Sequence, residues 1–167
     1  YIRAKEVLIS SGSIERPLVF GNNDTPGVIL SSAAKEYLKV YGVLVGKKPL
    51  IFTNNDSGYE TAIEFKKNGV DPIILDTRKE PKSEIIDEAK KLDIQIKFSY
   101  VVVAAKGYKK VKSAEIAKIS DDKNELGTLE NINCDCICVS GFWTPTIHLA
   151  SQSGNKTTLN KDIDAFV

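Results

Sequence analysis

The sequence predicts an α/β domain with a mostly parallel central sheet, helices on both faces and an antiparallel meander at one edge. Three observations lead there. Two apolar runs, Pro49 to Thr53 (PLIFT) and Val70 to Asp76 (VDPIILD), flank an amphipathic stretch, Tyr59 to Asn68 (YETAIEFKKN), and make a short βαβ unit. Helical spacing recurs in Ser31 to Tyr41 and in Ser83 to Leu92 (SEIIDEAKKL). The last three apolar runs alternate more than the central ones, as strands with one wet face do.

The elements follow in order. Lys5 to Ser10 (KEVLIS) reads as a short apolar strand closed by Ser11-Gly12-Ser13. Arg16 to Gly27 clusters Gly, Asn, Asp and Pro and reads as a loop. In Ser31 to Tyr41, the residues Ala34, Tyr37, Leu38 and Tyr41 share a face, Ser31 or Ser32 is the expected N-cap and Gly42 the stop. Asn54 to Gly58 is a turn. The helix after it points Ala62, Ile63 and Phe65 inward and Lys66 and Lys67 outward, and Gly69 ends it. The next helix carries its stripe on Ile85, Ile86, Ala89 and Leu92. Strands are expected at Ile94 to Val103, Lys110 to Ile119 and Asn133 to Ser140, separated by Ala104 to Tyr108 and by a polar loop at Asp121 to Asn131. Gly141 to Thr146 (GFWTPT) is a loop, and from Ser151 the tail is polar until Ala165-Phe166-Val167.

Composition narrows the function. The chain has 167 residues, 42% of them hydrophobic, and a net charge of +1, with a mean hydropathy of -0.17. That is enough for one ordinary core and too apolar for a disordered chain. No uncharged run reaches the ~20 residues of a membrane span. Near-neutral charge argues against a nucleic-acid partner, whose affinity comes largely from neutralised phosphates. The opening YIRAKEVLISSGS is not a signal peptide, and the sequence holds no methionine, so a piece of a longer or processed chain is expected. Cys134, Cys136 and Cys138 alternate as on one strand face, without the C-x-x-C spacing or nearby histidines of a zinc site. They read as small core residues, no metal site is expected, and unpaired thiols agree with a cytoplasmic location.

The βαβ turn is the place to look for a nucleotide. In the dinucleotide fingerprint the first glycine makes the turn, the second admits the pyrophosphate and the third lets the helix pack on the strand. Here Thr53 and Asn55 stand at the first two positions and only Gly58 is glycine. Asp56 adds a carboxylate near the helix N-terminus, where it opposes a phosphate. Asp76, at the end of the second strand, is placed for a ribose diol. Two readings stand: a nucleotide site with an unusual loop formed by Asn54, Asn55, Gly58 and Asp76, or a Rossmann-like unit that has lost its cofactor. The missing glycines favour the second. Asn22-Asn23-Asp24 and Asn54-Asn55-Asp56 are candidates for a cation but also ordinary turn formers. His148 lacks a nucleophile, Phe142 and Trp143 suit either ring stacking or an edge plug, and Lys106, Lys109, Lys110 and Lys112 suit a solvated hairpin. No catalytic residue emerges.

Three strings, RPLVFGNNDTPGVILSSAAKEYLKVYGV, LIFTNNDSGYETAIEFKKNGVDPIILDTR and CDCICVSGFWTPTIHLASQSG, closely resemble the middle of the alpha subunit of heterotetrameric sarcosine oxidase, over Ile2 to Val167. The resemblance implies a relative of the glutathione-reductase-like two-dinucleotide-domain flavoproteins. This chain would be the inserted second Rossmann-like domain. Residues 1–30 would lead from a missing NAD-binding domain, residues 31–132 would be the Rossmann-like unit, and residues 133–167 would return to that domain. Ser11, Gly12 and Ser13 at one crossing, with Gly141 and Thr144 at the other, would face the cofactor of the missing domain. The parent complex would hold FAD and FMN besides NAD, would have other sarcosine oxidase subunits as partners, and would turn sarcosine and tetrahydrofolate into glycine, hydrogen peroxide and methylene-folate. The segment itself would be structural and subunit-docking, without a cofactor of its own. The alternatives are an NAD(P)H-dependent reductase that uses the 53–60 loop directly, and an opine-oxidase-type subunit. The two crossings are expected side by side, with exposed apolar residues nearby, Phe142 and Trp143 among them.

Overall fold

The structure is a computed structural model that describes residues 1, 3–120 and 125–167. In chain order its elements are β1 (Ser13–Glu15), β2 (Val28–Leu30), α1 (Ser31–Tyr41), β3 (Pro49–Thr53), α2 (Ser57–Lys67), β4 (Ile73–Asp76), α3 (Glu84–Lys91), β5 (Gln95–Phe98), β6 (Tyr100–Lys106), β7 (Ser113–Lys118), β8 (Glu130–Asn133), β9 (Cys136–Ser140), β10 (Trp143–Pro145), α4 (His148–Gln152), β11 (Leu159–Asn160) and β12 (Ala165–Phe166). The strands β2-β9-β3-β4-β5 form a five-stranded sheet, parallel throughout. Alternate residues of its strands feed two cores. Ile51, Ile74, Cys136 and Cys138 face the helices and meet Ala34 and Leu38 of α1, Tyr59, Ala62, Ile63 and Phe65 of α2, and Ile86 and Ala89 of α3. Leu50, Phe52, Leu75, Ile137 and Val139 face the other way, against Phe20, Val102, Val111, Ala114 and Ile116. Each of these fully buried aliphatic side chains contributes roughly 1.5–3 kcal/mol.

The α/β class and the mostly parallel three-layer arrangement are as expected, and so are β3 and α1, whose bounds match the sequence reading. Among the described residues, the expected helices on both faces are not found. The three long helices lie on one face, and the other is covered by the antiparallel sheet β6-β7-β8. The expected strand over residues 94–103 is two strands. Ser99 takes a left-handed φ of 57°, so Phe98 pairs with Asp76 in the parallel sheet while Tyr100 pairs with Lys118 in the meander. The expected third meander strand at residues 133–140 is also corrected. The meander ends on β8, where burial alternates, and β9 runs between β2 and β3 with all five residues buried. A continuous apolar run such as CICVS suits a parallel strand covered on both faces, and alternation suits the meander. Of the loop expected at residues 121–131, residues 121–124 lie outside the described residues, and Glu130 and Asn131 belong to β8.

Residues 5–10 form no strand. Val7 and Leu8 are exposed, and a lone strand gains nothing without a ladder partner. Neither Ser31 nor Ser32 caps α1: Leu30 is the N-cap, because the helix follows β2 without a loop, and the Glu15 carboxylate accepts the Ser32 N–H at 2.9 Å. Gly42 does stop the helix, with φ 64°. The expected loop at residues 141–146 is corrected: Trp143–Pro145 form β10, because β1 offers them a ladder partner. β2, α4 and the hairpin β11-β12 lie where the sequence predicts no element. Cys134 lies in the meander-side core, opposite Cys136 and Cys138, because the strand starts only at Cys136.

Gly58 shows how tightly α2 sits on the sheet. A Cβ there would lie 2.7 Å from the Thr53 Cβ and 2.8 Å from its Oγ1, so the third glycine of the fingerprint keeps its packing role. Gly58→Ala is expected to lower the unfolding free energy by roughly 2 kcal/mol, the usual cost of an overpacked core, as read from urea denaturation.

Candidate functional site

In open α/β sheets, ligands bind outside the carboxyl ends of the strands, at the point where the connections diverge. Here β3 leads through α2 to β4 on one side, and β9 returns on the other. The loops at that point carry Asn54, Asn55 and Asp56 after β3 and Gly141 and Phe142 after β9, with Arg78 two residues past β4.

The side chains close this turn among themselves. The Thr53 hydroxyl donates to the Asn55 carbonyl at 2.8 Å and accepts the Asn55 N–H at 3.1 Å. The Asn55 carboxamide, almost fully buried, donates to Ser140 O at 3.1 Å and to Ser140 Oγ at 3.2 Å, tying β3 to β9. Its Oδ1 accepts the Ser57 N–H at 2.8 Å. That N–H is one of the orphan donors of the α2 N-terminus, the group a phosphate would take. Trp143 closes the same corner from outside, its Nε1–H donating to Ser57 Oγ at 2.7 Å. Asp56 makes no side-chain cap. Its carboxylate pairs instead with Arg78 Nη1 at 2.8 Å. The helix terminus is therefore neutralised by Asn55, where the sequence suggested Asp56.

Arg78 also grips Asp76, with Nη2 2.8 Å from Oδ2 and Nε 3.0 Å from Oδ1, while its backbone N–H donates to Oδ1 at 2.9 Å. Tyr59 OH donates to Asp76 Oδ2 at 2.7 Å. Asp76 is fully buried, so no carboxylate oxygen faces the position of a ribose. Burial, and next the adjacent Asp76 carboxylate, push the Tyr59 phenol far above its usual range. Burial works against the charge on Arg78, but the hydrogen bonds and charges of Asp76 and Asp56 outweigh it and keep the guanidinium protonated. The turn thus departs from a dinucleotide cradle at three points: the Ser57 N–H is taken by Asn55, Asn55 stands at the second glycine position, and the Asp76 carboxylate is internal.

Beside the turn lies a cleft of about 340 Å³ lined by Arg16, Asn54, Gly141, Phe142, Asp162 and Asp164, among others. Arg16 spans it, donating to Asp164 O at 3.2 Å and Ile163 O at 3.1 Å. Gly141 admits no side chain, since a Cβ would lie 2.7 Å from Arg16 O, and Phe142 holds a positive φ of 86°. The two crossings expected side by side are so placed: β1 pairs antiparallel with β10, Ser11 Oγ donates to Thr146 O at 2.6 Å, and Thr146 N–H donates to Gly12 O at 2.9 Å. Ser11, Gly12, Ser13 and Thr144 thus converge on this ribbon, next to Gly141. Ile14 is exposed there, but Phe142 and Trp143 are half-buried. His148 is an exposed first residue of α4, and the lysines of the β6–β7 turn lie at the opposite end of the sheet, where Cys134 N–H donates to Lys112 O. The sequence reading missed Arg78, Tyr59, Arg16 and Glu15. The spacing Asp76-Thr77-Arg78 at a strand end was a signal for the first of these.

No family model matches the chain. Among curated proteins it is 36% identical over 173 residues to the sarcosine oxidase subunit alpha of Rhizobium meliloti (strain 1021), covering 99% of this chain and 16% of that protein. It is 32% identical to the sarcosine oxidase subunit alpha of Corynebacterium sp. (strain P-1), covering 100% of this chain and 17% of that protein. The chain thus spans about one sixth of the length of these relatives, and the resemblance read from its motifs extends over its whole length. Among solved structures, T. acidophilum thioredoxin reductase superposes with a TM-score of 0.68 at 17% identity, covering 90% of this chain and 47% of that one. That likeness is one of fold.

Asp76→Ala leaves the Arg78 charge and the Tyr59 hydroxyl without their shared acceptor. It is expected to cost roughly 3 kcal/mol of stability, the low end for a broken buried pair, as measured by urea unfolding. The thiols make a second check. Burial first, then the neighbouring Cys136 and Asp135, push the Cys134 thiol up to about 12. All three cysteines are buried, so the native chain at pH 8 should leave a thiol reagent unreacted and the unfolded chain should titrate all three.

Proposed function

We propose that this chain is the second, Rossmann-like segment of a sarcosine oxidase-type alpha subunit, and that it serves there as a scaffold and subunit-docking piece. The observation that carries the reading is the turn after β3, where Asn55 and Trp143 occupy the helix terminus that a dinucleotide would need. Similarity over the whole chain to two sarcosine oxidase alpha subunits supports the parent assignment. Residues 1–30 and 133–167 are the two connections to a neighbouring NAD-binding domain, and each also lends one strand, β2 and β9, to the sheet of the unit at residues 31–132. Ser11, Gly12, Ser13, Gly141 and Thr144 border that neighbour's NAD, in keeping with their convergence on the ribbon. The segment itself binds no cofactor.

In the complete cytoplasmic complex the flavins FAD and FMN supply the redox chemistry. The sarcosine N-methyl group is oxidised by two electrons, oxygen is reduced to hydrogen peroxide, glycine leaves, and tetrahydrofolate takes up the one-carbon unit. The residues of this segment position the domains that hold those groups.

Calorimetric titration of the chain with NAD and with NADP, each to millimolar concentration, is expected to give no saturable heat, and the emission of its single tryptophan should not change. Saturable binding of either would overturn the scaffold role. The parent assignment is tested separately, by hydrogen peroxide release from the assembled complex. Sarcosine-dependent release is expected, and release driven by an opine alone would assign the chain elsewhere.

A further inference from the structure

We propose that the rung Glu15–Trp143 of the β1–β10 ribbon is a clamp that seats the ribbon on the first turns of two helices, so that the ribbon and the domain move as one body. The two residues are directly opposed in the antiparallel register. From that single rung the Glu15 carboxylate accepts the Ser32 N–H at the first turn of α1, and the Trp143 indole donates to the Ser57 hydroxyl at the first turn of α2. Glu15 is only 4% exposed. A carboxylate at the start of α1 is held both by the N–H and by the positive end of the helix.

The ribbon needs such a hold. It has only three residue pairs, and a two-stranded ribbon in water is marginal by itself. The backbone bonds at its base, Arg16 N–H to Phe142 O at 2.8 Å and Gly141 N–H to Arg16 O at 2.7 Å, set the register of the two strands with each other. They do not tie the ribbon to the helices. The Glu15–Trp143 rung does, through the Ser32 N–H of α1 and the Ser57 hydroxyl of α2. The corner that Asn55 closes from within is thus also the seat of a connection. If both strands lead to a neighbouring domain, as proposed above, the clamp also sets how that neighbour is held.

The test is amide hydrogen exchange of the full chain, with Ser57→Ala and Trp143→Phe as variants. Both keep the backbone and most of the packing and each removes one side of the same bond. Exchange in residues 11–17 and 141–147 is expected to speed up about fivefold in either, the factor carried by one hydrogen bond of ~1 kcal/mol, while β3 and β9 keep their rates. The double variant should be no faster than the single ones, because the bond is lost only once. In Ser57→Ala, acrylamide should quench the tryptophan more strongly. Unchanged exchange in the ribbon, or an equal rise in β3 and β9 that marks general destabilisation, would overturn the clamp. No nucleotide or partner takes part, so this result is independent of the titrations above.

Discussion

The pairing of β3 with β9 is the contact on which the rest of this domain is built. Five residues of each strand run parallel, from Pro49 opposite Cys136 to Thr53 opposite Ser140, and all ten are buried. One flank of the pair carries the helices and the other carries the meander. Its carboxyl end fixes the distance between the Asn55 carboxamide and Ser140, and hence the closed form of the turn. The partners are more than eighty residues apart in the chain, so the sheet is completed only after the whole meander has been laid down. Pairings of such long range tend to form slowly.

What the sequence revealed of this architecture depended on how local each signal is. The helix α1 and the strand β3 follow from patterns within a single stretch, PLIFT and the spacing of Ala34 and Leu38, and their bounds were legible. The place of β9 was not. The sequence reads as alternating through Asn133 to Ser140, but alternation in the meander belongs to Glu130–Asn133, and from Cys136 every residue is buried. A run with both flanks buried looks the same whether it joins one sheet or the other, and which neighbours it has is a property of the whole fold. The layer opposite the helices escaped for the same reason. An amphipathic strand declares that it covers something apolar without saying what.

The turn was legible in its chemistry and not in its geometry. Thr53 and Asn55 in place of glycines signalled that a pyrophosphate has no easy approach. The agents that close the turn, however, come from distant positions: Ser140 and Trp143 lie 85 and 86 residues from their partners. Asp56 was the residue that local reasoning placed at the helix terminus. Arg78 draws it away, because a guanidinium flanked by two carboxylates gains more from both than the helix end gains from one. Asn55, uncharged and short, is left to serve the N–H. A nearby opposite charge thus reassigned a role that helix electrostatics alone gave to the wrong neighbour.

The left-handed kink at Ser99 separates β5 from β6 by a single residue. One apolar run therefore supplies the last strand of the parallel sheet and the first strand of the layer that covers it, with no slack between them. The covering layer is not an accessory that recombination can exchange for helices or delete, since any cut there also frees the sheet's margin. Insertions between these two layers would have to arrive elsewhere, at turns such as the one between β6 and β7, where exposed lysines and Gly107 bound a hairpin. In lineages that carry this arrangement, length variation should therefore collect in the hairpins and spare the kink.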